Sequence, residues 1–157
     1  MARRRHTAYR ACLGRNVASI EASPEAIWRL LVDAEKWPDW YPYARDVRII
    51  GREAELREGS LFDWVTFGVS VRSRVTDYAP YDRIAWTASA IGTEAYHAWR
   101  IDVIAAGRCR VVTEETQRGW APHLLAPILR RRLRRQHEVW LEHLKALSIG
   151  MGETRNP

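Results

Sequence analysis

Residues 45–117 alternate apolar and polar side chains with a period of two, and short segments rich in glycine, proline or aspartate divide them. This alternation is typical of β-strands with one covered and one exposed face. The connections are too short for helical crossovers, so consecutive strands are expected to pair antiparallel as a meander. A turn is predicted at residues 77–82. The pattern predicts six strands, at residues 47–50, 61–67, 69–76, 84–90, 94–103 and 109–117.

A short strand and two short helices are predicted before this meander. Residues 16–20 alternate weakly and indicate a strand. Ser23 is a good N-cap and Pro24 suits the first helical position, so a helix should follow and end near Asp33. The dipeptide Trp37-Pro38 disfavours helical geometry at Trp37. Residues 37–43 hold four aromatic residues and two prolines, which predicts a short helix or turn whose rings lie on an apolar surface.

The C-terminal part of the chain predicts one long helix over residues 121–149. At a rise of 1.5 Å per residue, such a helix is about 40 Å long. It is the only predicted element able to cover the apolar face of the sheet, which makes the fold class α+β. Gly150 and Gly152 are expected to end it. Its apolar stripe contains Leu129, Leu133, Gln136, Trp140, Leu144 and Leu147.

Length and charge restrict the organisation further. A chain of 157 residues has the size of one domain. We expect a basic N-terminal segment at residues 1–14, a folded domain at 15–149 and a disordered tail at 150–157. No apolar run approaches the roughly 20 residues that a membrane-spanning helix needs. No apolar stretch of signal-peptide length appears either, so we expect a cytoplasmic protein.

Positive charge is concentrated in arginine. The net charge is +6 at pH 7, and residues 130–135 contain five arginines. Such a run could contact anionic lipid or nucleic acid. The tryptophans that could stack on bases fall on the covered side of the fold, which disfavours nucleic acid. A solvated helix face is the simpler interpretation, and transient contact with an anionic membrane is the favoured functional one.

The order strand, two short helices, six strands and long helix resembles the START-like superfamily, also called SRPBCC or helix-grip. It is most similar to the bacterial polyketide cyclase/dehydrase and lipid-transport branch, over roughly residues 15–148. That resemblance implies a seven-stranded antiparallel sheet wrapped around the C-terminal helix, with a large apolar cavity between them. It carries little information on activity, because the fold serves carriers, sensors and enzymes. The matching segments are residues 22–28 and 37–40, Gly59 at a strand start, residues 77–80 before 83–86, and residues 99–101 before a glycine turn.

The side chains predicted to face this cavity are mainly aromatic. Eight tryptophans in 157 residues is a high number, and an indole offers a large apolar surface with one N–H donor. A solid packed core is the alternative for each of them. We expect the ligand-binding residues to be Phe62, Trp64, Val71, Ser73, Trp86, Trp99, Thr113, Leu133, Gln136 and Trp140.

Two further polar residues, His97 and Glu115, fall on the covered face and are candidate catalytic residues. Placed close together they could pair, bind a ligand hydroxyl or act as acid and base. Each residue could instead have a purely structural role. His97 could be a buried histidine whose hydrogen bonds are all made within the protein, and Glu115 could pair with an arginine or face water. A shift of one residue in register would turn Glu115 outward and Glu114 inward.

Other catalytic and cofactor motifs are missing from the sequence. Cys12 and Cys109 do not have metal-ligand spacing, and no His-Glu-x-x-His or Cys-x-x-Cys occurs. His137 and His143 are six residues apart and do not share a helix face well. No nucleophile turn or glycine-rich phosphate loop is present. We therefore expect neither a metal nor a cofactor.

Three functions are compatible with these patterns. The favoured one is non-catalytic binding of a hydrophobic small molecule such as a polyketide, an aromatic metabolite or a lipid. The second is a polyketide cyclase or dehydratase in which His97 and Glu115 exchange protons. The third is surface binding to anionic lipid or nucleic acid through the arginine run. The chain could be a monomer or a homodimer.

Overall fold

The structure, a computed structural model, describes residues 12–153 and the side chains of residues 14–151. A 3-10 turn at Ala34–Lys36 leads into the second helix. The strands and helices follow the predicted order. They are β1 (Cys12–Ile20), α1 (Pro24–Val32), α2 (Trp37–Trp40), β2 (Arg45–Ile50), β3 (Leu61–Thr66), β4 (Val69–Ala79), β5 (Arg83–Ala90), β6 (Thr93–Ala105), β7 (Arg108–Arg118) and α3 (Trp120–Glu153).

The strands form one antiparallel sheet with the order β1-β7-β6-β5-β4-β3-β2. Strands β2 to β7 are a meander, and β1 closes the far edge beside β7. The sheet curves around α3, which packs mainly against β1, α1 and β7. The prediction of an α+β helix-grip fold, with seven antiparallel strands, two short helices after the first strand and a long C-terminal helix, is confirmed.

Helix α1 begins where the sequence predicts. The Ser23 hydroxyl accepts a hydrogen bond from the backbone N–H of Ala26 at 3.2 Å, as an N-cap should. Trp37 departs from the prediction, because its φ of −53° and ψ of −40° are helical. Pro38 stands in the first turn of α2, where its missing N–H costs little. Complete burial of Trp37, whose indole N–H donates to the carbonyl of Leu30 at 3.2 Å, offsets the unfavourable contact with Pro38.

Three predicted boundaries are wrong. Strand β4 continues to Ala79 through the predicted turn, because a bulge between Val75 and Asp77 keeps its pairing with β5. Helix α3 continues through Gly150 to Glu153, at a cost of about 1 kcal/mol for a glycine in a helix. Strand β1 begins at Cys12, so residues 12–14 belong to the sheet. The rest of the predicted N-terminal segment, and residues 154–157 of the predicted tail, lie outside the described residues.

The core lies between the concave face of the sheet, α1, α2 and α3. Its largest completely buried side chains are mostly aromatic, namely Trp37, Tyr41, Phe62, Trp86, Trp99 and Trp140. Large aromatic rings bury about 150–250 Å² each, so this group contributes much of the apolar burial. Within the described part of the chain, no helix is long and apolar enough to cross a membrane.

Candidate functional site

Trp140 of α3 lies at the centre of the aromatic core. Its ring stacks on Tyr41 at a centroid distance of 4.1 Å. It meets Trp99 at 5.1 Å and Trp37 at 5.2 Å, the latter edge to face. Trp64 and Trp86 lie within 6.4 Å of the same ring. One helical residue thus connects α2 with β3, β5 and β6, and this contact holds α3 over the sheet.

On one side of Trp140, the sheet and α3 separate to leave a cavity of about 300 Å³. Strands β3 to β7 and the turns between them supply most of its wall, residues 121–140 of α3 supply a second side, and Tyr41 after α2 completes it. Val69, Ile91 and Leu125 line it and are at least 48% exposed, so the cavity opens to solvent there. Most lining side chains are apolar, as is typical of small-molecule pockets. The polar exceptions are Thr66, Thr93, His97, Glu115, Gln117, Arg132, Gln136 and His137, with the amphipathic Tyr41.

The ligand-binding residues predicted from sequence divide into two groups. The first lines the cavity and consists of Trp64, Val71, Trp86, Gln136 and Trp140. The second is buried beside the cavity without lining it and consists of Phe62, Ser73, Trp99, Thr113 and Leu133. Two residues of this second group, Ser73 and Thr113, contact the side chains of residues that line the cavity. The Trp64 indole N–H donates to the Ser73 hydroxyl at 3.1 Å, and Thr113 Oγ1 lies 2.7 Å from His97 Nε2.

A polar cluster of His97, Glu115 and His137 forms part of the cavity wall. Glu115 Oε2 lies 3.8 Å from His97 Nδ1 and 3.4 Å from His137 Nε2. The other carboxylate oxygen, Oε1, accepts a hydrogen bond of 2.6 Å from the Gln117 side-chain amide. The two imidazole rings stack with centroids 4.9 Å apart. All three residues are at most 8% exposed, so the cluster is a buried polar site in the cavity wall.

The sheet register places two members of the cluster together. His97 on β6 and Glu115 on β7 are directly opposite partners, so their side chains share one face. That face is the concave one, because the neighbouring Glu114 points outward and pairs with Arg15. The alternative register, with Glu115 outward, is not the one observed.

His137 is the member that sequence reasoning missed. His137 and His143 are six residues apart on α3, a spacing that does not place them on one helix face. A better signal was available, because Leu133, His137, Trp140 and Leu144 follow the spacing of one helical stripe. The Nδ1 atom of His137 is buried and has no hydrogen-bond partner among the described residues.

Burial and proximity change the proton affinities of the cluster. Burial lowers the pKa of His97 to about 3, against the opposing effect of the Glu115 charge. Burial would raise the pKa of Glu115, but the hydrogen bond from His137, the nearby imidazoles and the Gln117 amide together lower it. Burial, and then the Glu115 charge, raise the pKa of Tyr41 well above its usual range. At neutral pH the cluster therefore presents a carboxylate beside the neutral imidazole of His97.

The arginine run lies along the outer side of α3 near the opening. The Arg132 guanidinium lies 5.0 Å from the centre of the Phe67 ring, and both residues line the cavity. Arg134 and Arg135 are exposed and approach Glu138 at 3.7 and 4.0 Å. Such exposed pairs contribute little stability.

Comparison with known proteins gives a consistent result. The sequence matches the family described as polyketide cyclase/dehydrase and lipid transport over residues 14–148. No curated protein matches it significantly. A crystal structure of the hypothetical protein jhp0584 from Helicobacter pylori superposes with a TM-score of 0.78 and 26% identity, over 85% of this chain and 86% of that one.

Two more distant structures share the fold. The Zhui aromatase/cyclase from Streptomyces sp. R1128 has a TM-score of 0.72 and 18% identity, over 85% of this chain and 90% of that one. A START superfamily protein from Mycobacterium smegmatis has a TM-score of 0.72 and 15% identity, over 88% and 97%.

Sheet, long helix and intervening cavity together define a START-like, helix-grip ligand-binding fold. Within that class, the chain belongs to the polyketide cyclase/dehydrase and lipid transport family, since the match spans nearly all of the described residues.

Proposed function

We propose that this protein binds a hydrophobic small molecule in the cavity between the sheet and α3. The observation that carries the proposal is an apolar, aromatic-lined cavity of about 300 Å³ that opens to solvent beside α3. Burial of an apolar ligand there would be favourable by about 25 cal/mol per Å² of apolar surface removed from water. The family description, polyketide cyclase/dehydrase and lipid transport, supports the same class of ligand.

The size and polarity of the cavity restrict the ligand. Its volume is about twice the roughly 150 Å³ of a cavity that accommodates benzene. A molecule of two or three fused rings fits this space, and a complete two-chain lipid does not. Glu115 lines the cavity as a carboxylate, whereas most other lining side chains are apolar. The preferred ligand is therefore an aromatic or polyketide-like molecule with a hydroxyl that can donate to Glu115.

Tryptophan fluorescence tests this proposal directly, because Trp64, Trp86 and Trp140 line the cavity. We expect bicyclic and tricyclic hydroxylated aromatics to quench or shift the emission saturably, with dissociation constants in the micromolar range. Fatty acids and phospholipids serve as the comparison panel, and we expect them to bind more weakly. If no aromatic compound in the panel quenches or shifts the emission saturably, the proposal is wrong.

A second candidate function is catalysis of cyclisation or dehydration on the same ligand class. The observation that favours it is the convergence of His97 and Glu115 on one cavity, where the Glu115 carboxylate could accept a proton from a substrate and return it as an acid, with the His97 imidazole beside it. Binding would also hold a flexible chain in a reactive geometry.

Turnover assays on a linear polyketide-like substrate separate the two candidates. Catalysis predicts product formation that falls at least about 100-fold in His97→Ala or Glu115→Ala while ligand quenching persists, since general acid–base groups contribute about 10²–10⁴-fold. If both variants retain the wild-type rate, the acid–base hypothesis is wrong. If the wild-type protein forms no product, a carrier function remains.

A further inference from the structure

His97, Glu115 and His137 have the residue types and the geometry of a metal centre. The side chains come from β6, β7 and α3, and one ligand atom from each lies within 4.8 Å of the other two. Two imidazole nitrogens and one carboxylate oxygen form a donor set that zinc and other first-row transition ions prefer. The sequence contains no local metal motif because the three residues are distant along the chain and only the fold brings them together.

The distances from Glu115 to the two histidines are long for charge-assisted hydrogen bonds and close to the spacing of metal ligands. Charge-assisted N–H to carboxylate bonds are about 2.7–2.9 Å long. The two nitrogens lie at 3.4 and 3.8 Å from Glu115 Oε2. Ligand atoms at about 2.0–2.2 Å from a tetrahedral ion are separated by about 3.3–3.6 Å. Because the three donor atoms lie within 4.8 Å of one another, side-chain movements of roughly 1 Å would close the coordination triangle.

The surroundings hold the donor atoms in a suitable orientation. The Gln117 side-chain amide donates to Glu115 Oε1 at 2.6 Å, and the other oxygen, Oε2, faces both histidines. Glu115 could therefore coordinate an ion through Oε2 alone. Thr113 Oγ1 contacts His97 Nε2 at 2.7 Å, which leaves Nδ1 directed at the cluster. Histidines that bind metals typically have such an outer partner on their second nitrogen.

We propose that His97, Glu115 and His137 bind one divalent transition-metal ion of the zinc class in the wall of the cavity. All three residues also line the cavity, so a fourth coordination position faces the space assigned to the ligand. A catalytic zinc site typically has three protein ligands and one open position. This proposal goes beyond the binding of a hydrophobic molecule and does not depend on it, although an oxygen of such a molecule could occupy the open position.

Cobalt and zinc titrations of the chelator-treated, full-length protein test the site. We expect one equivalent of Co²⁺ to produce visible absorption bands typical of four- or five-coordination, and Zn²⁺ to displace it. His137→Gln and Glu115→Gln should each weaken binding at least about 100-fold, and Thr113→Val about tenfold, because even outer partners contribute about 10–100-fold. His123→Gln is the matched control, because His123 is exposed on the same helix and should leave binding unchanged.

The possible results separate this proposal from the proposed function. Absence of stoichiometric binding to the wild-type protein, or equal binding by His137→Gln and Glu115→Gln, overturns the metal site. Circular dichroism establishes whether each variant is folded, and the wild-type titration and Thr113→Val decide the question if the two ligand variants do not fold. Fluorescence titration of the metal-free protein with aromatic ligands tests the hydrophobic cavity separately, so either proposal can fail alone.

Discussion

Replacing Trp140 by alanine should lower the free energy of unfolding by about 3–5 kcal/mol, the usual range for a buried tryptophan. The indole is 1% exposed and its ring lies against Tyr41, Trp99 and Trp37. Its removal leaves a cavity that rings from four different elements would have to fill. Since a domain is commonly stable by about 5–15 kcal/mol, this single change removes much of the total. Urea unfolding followed by far-UV circular dichroism measures the loss.

Trp120→Ala is the matched control for this experiment. Trp120 belongs to the same helix but is 65% exposed, so its replacement should change the free energy of unfolding by about 0.5 kcal/mol or less. Trp140→Phe retains an aromatic ring at the centre of the core and should give an intermediate loss. Equal losses in Trp140→Ala and Trp120→Ala would show that Trp140 does not hold the helix on the sheet.

The covered face of the sheet could be predicted because alternation is a local property. His97 and Glu115 each stand between residues that point outward, so the period of two assigns both to the concave face. The bulge after Val75 could not be foreseen, since apolar alternation does not mark where an extra residue enters a strand. Helix α3 ends at Glu153 and not before Gly150 as predicted, because glycine permits a helix end without enforcing one.

The division of the concave face into core and cavity could not be predicted from the sequence. Trp86 and Trp99 both point inward, but only Trp86 lines the cavity. The difference depends on where α3 crosses the sheet, and Trp140 sets that position through contacts with residues distant in sequence. His137 enters the site for the same reason. Two expectations remain predictions: contact of the arginine run at residues 130–135 with an anionic membrane, and a monomeric or homodimeric state.

Replacing Ala88 by leucine should weaken ligand binding strongly, because the small Ala88 side chain leaves space in the cavity wall. Ala88 on β5 pairs with Ala95 on β6, and both residues line the cavity. Ala88→Leu adds three carbon atoms there and excludes about as many ligand atoms. At about 0.8 kcal/mol for each buried methylene, the ligand loses about 2.4 kcal/mol, or roughly 50-fold in affinity.

Protein stability should respond differently from ligand affinity in this variant, because the added side chain enters existing space instead of a packed core. We expect the thermal midpoint of Ala88→Leu to be at or above that of the wild type, while fluorescence titration detects the weaker binding. Ala98→Leu is the matched control, since Ala98 lies on β6 between the inward-facing His97 and Trp99 and therefore points to the outer face. Wild-type affinity in both variants would place the ligand elsewhere, whereas a selective loss in Ala88→Leu locates it between the sheet and α3.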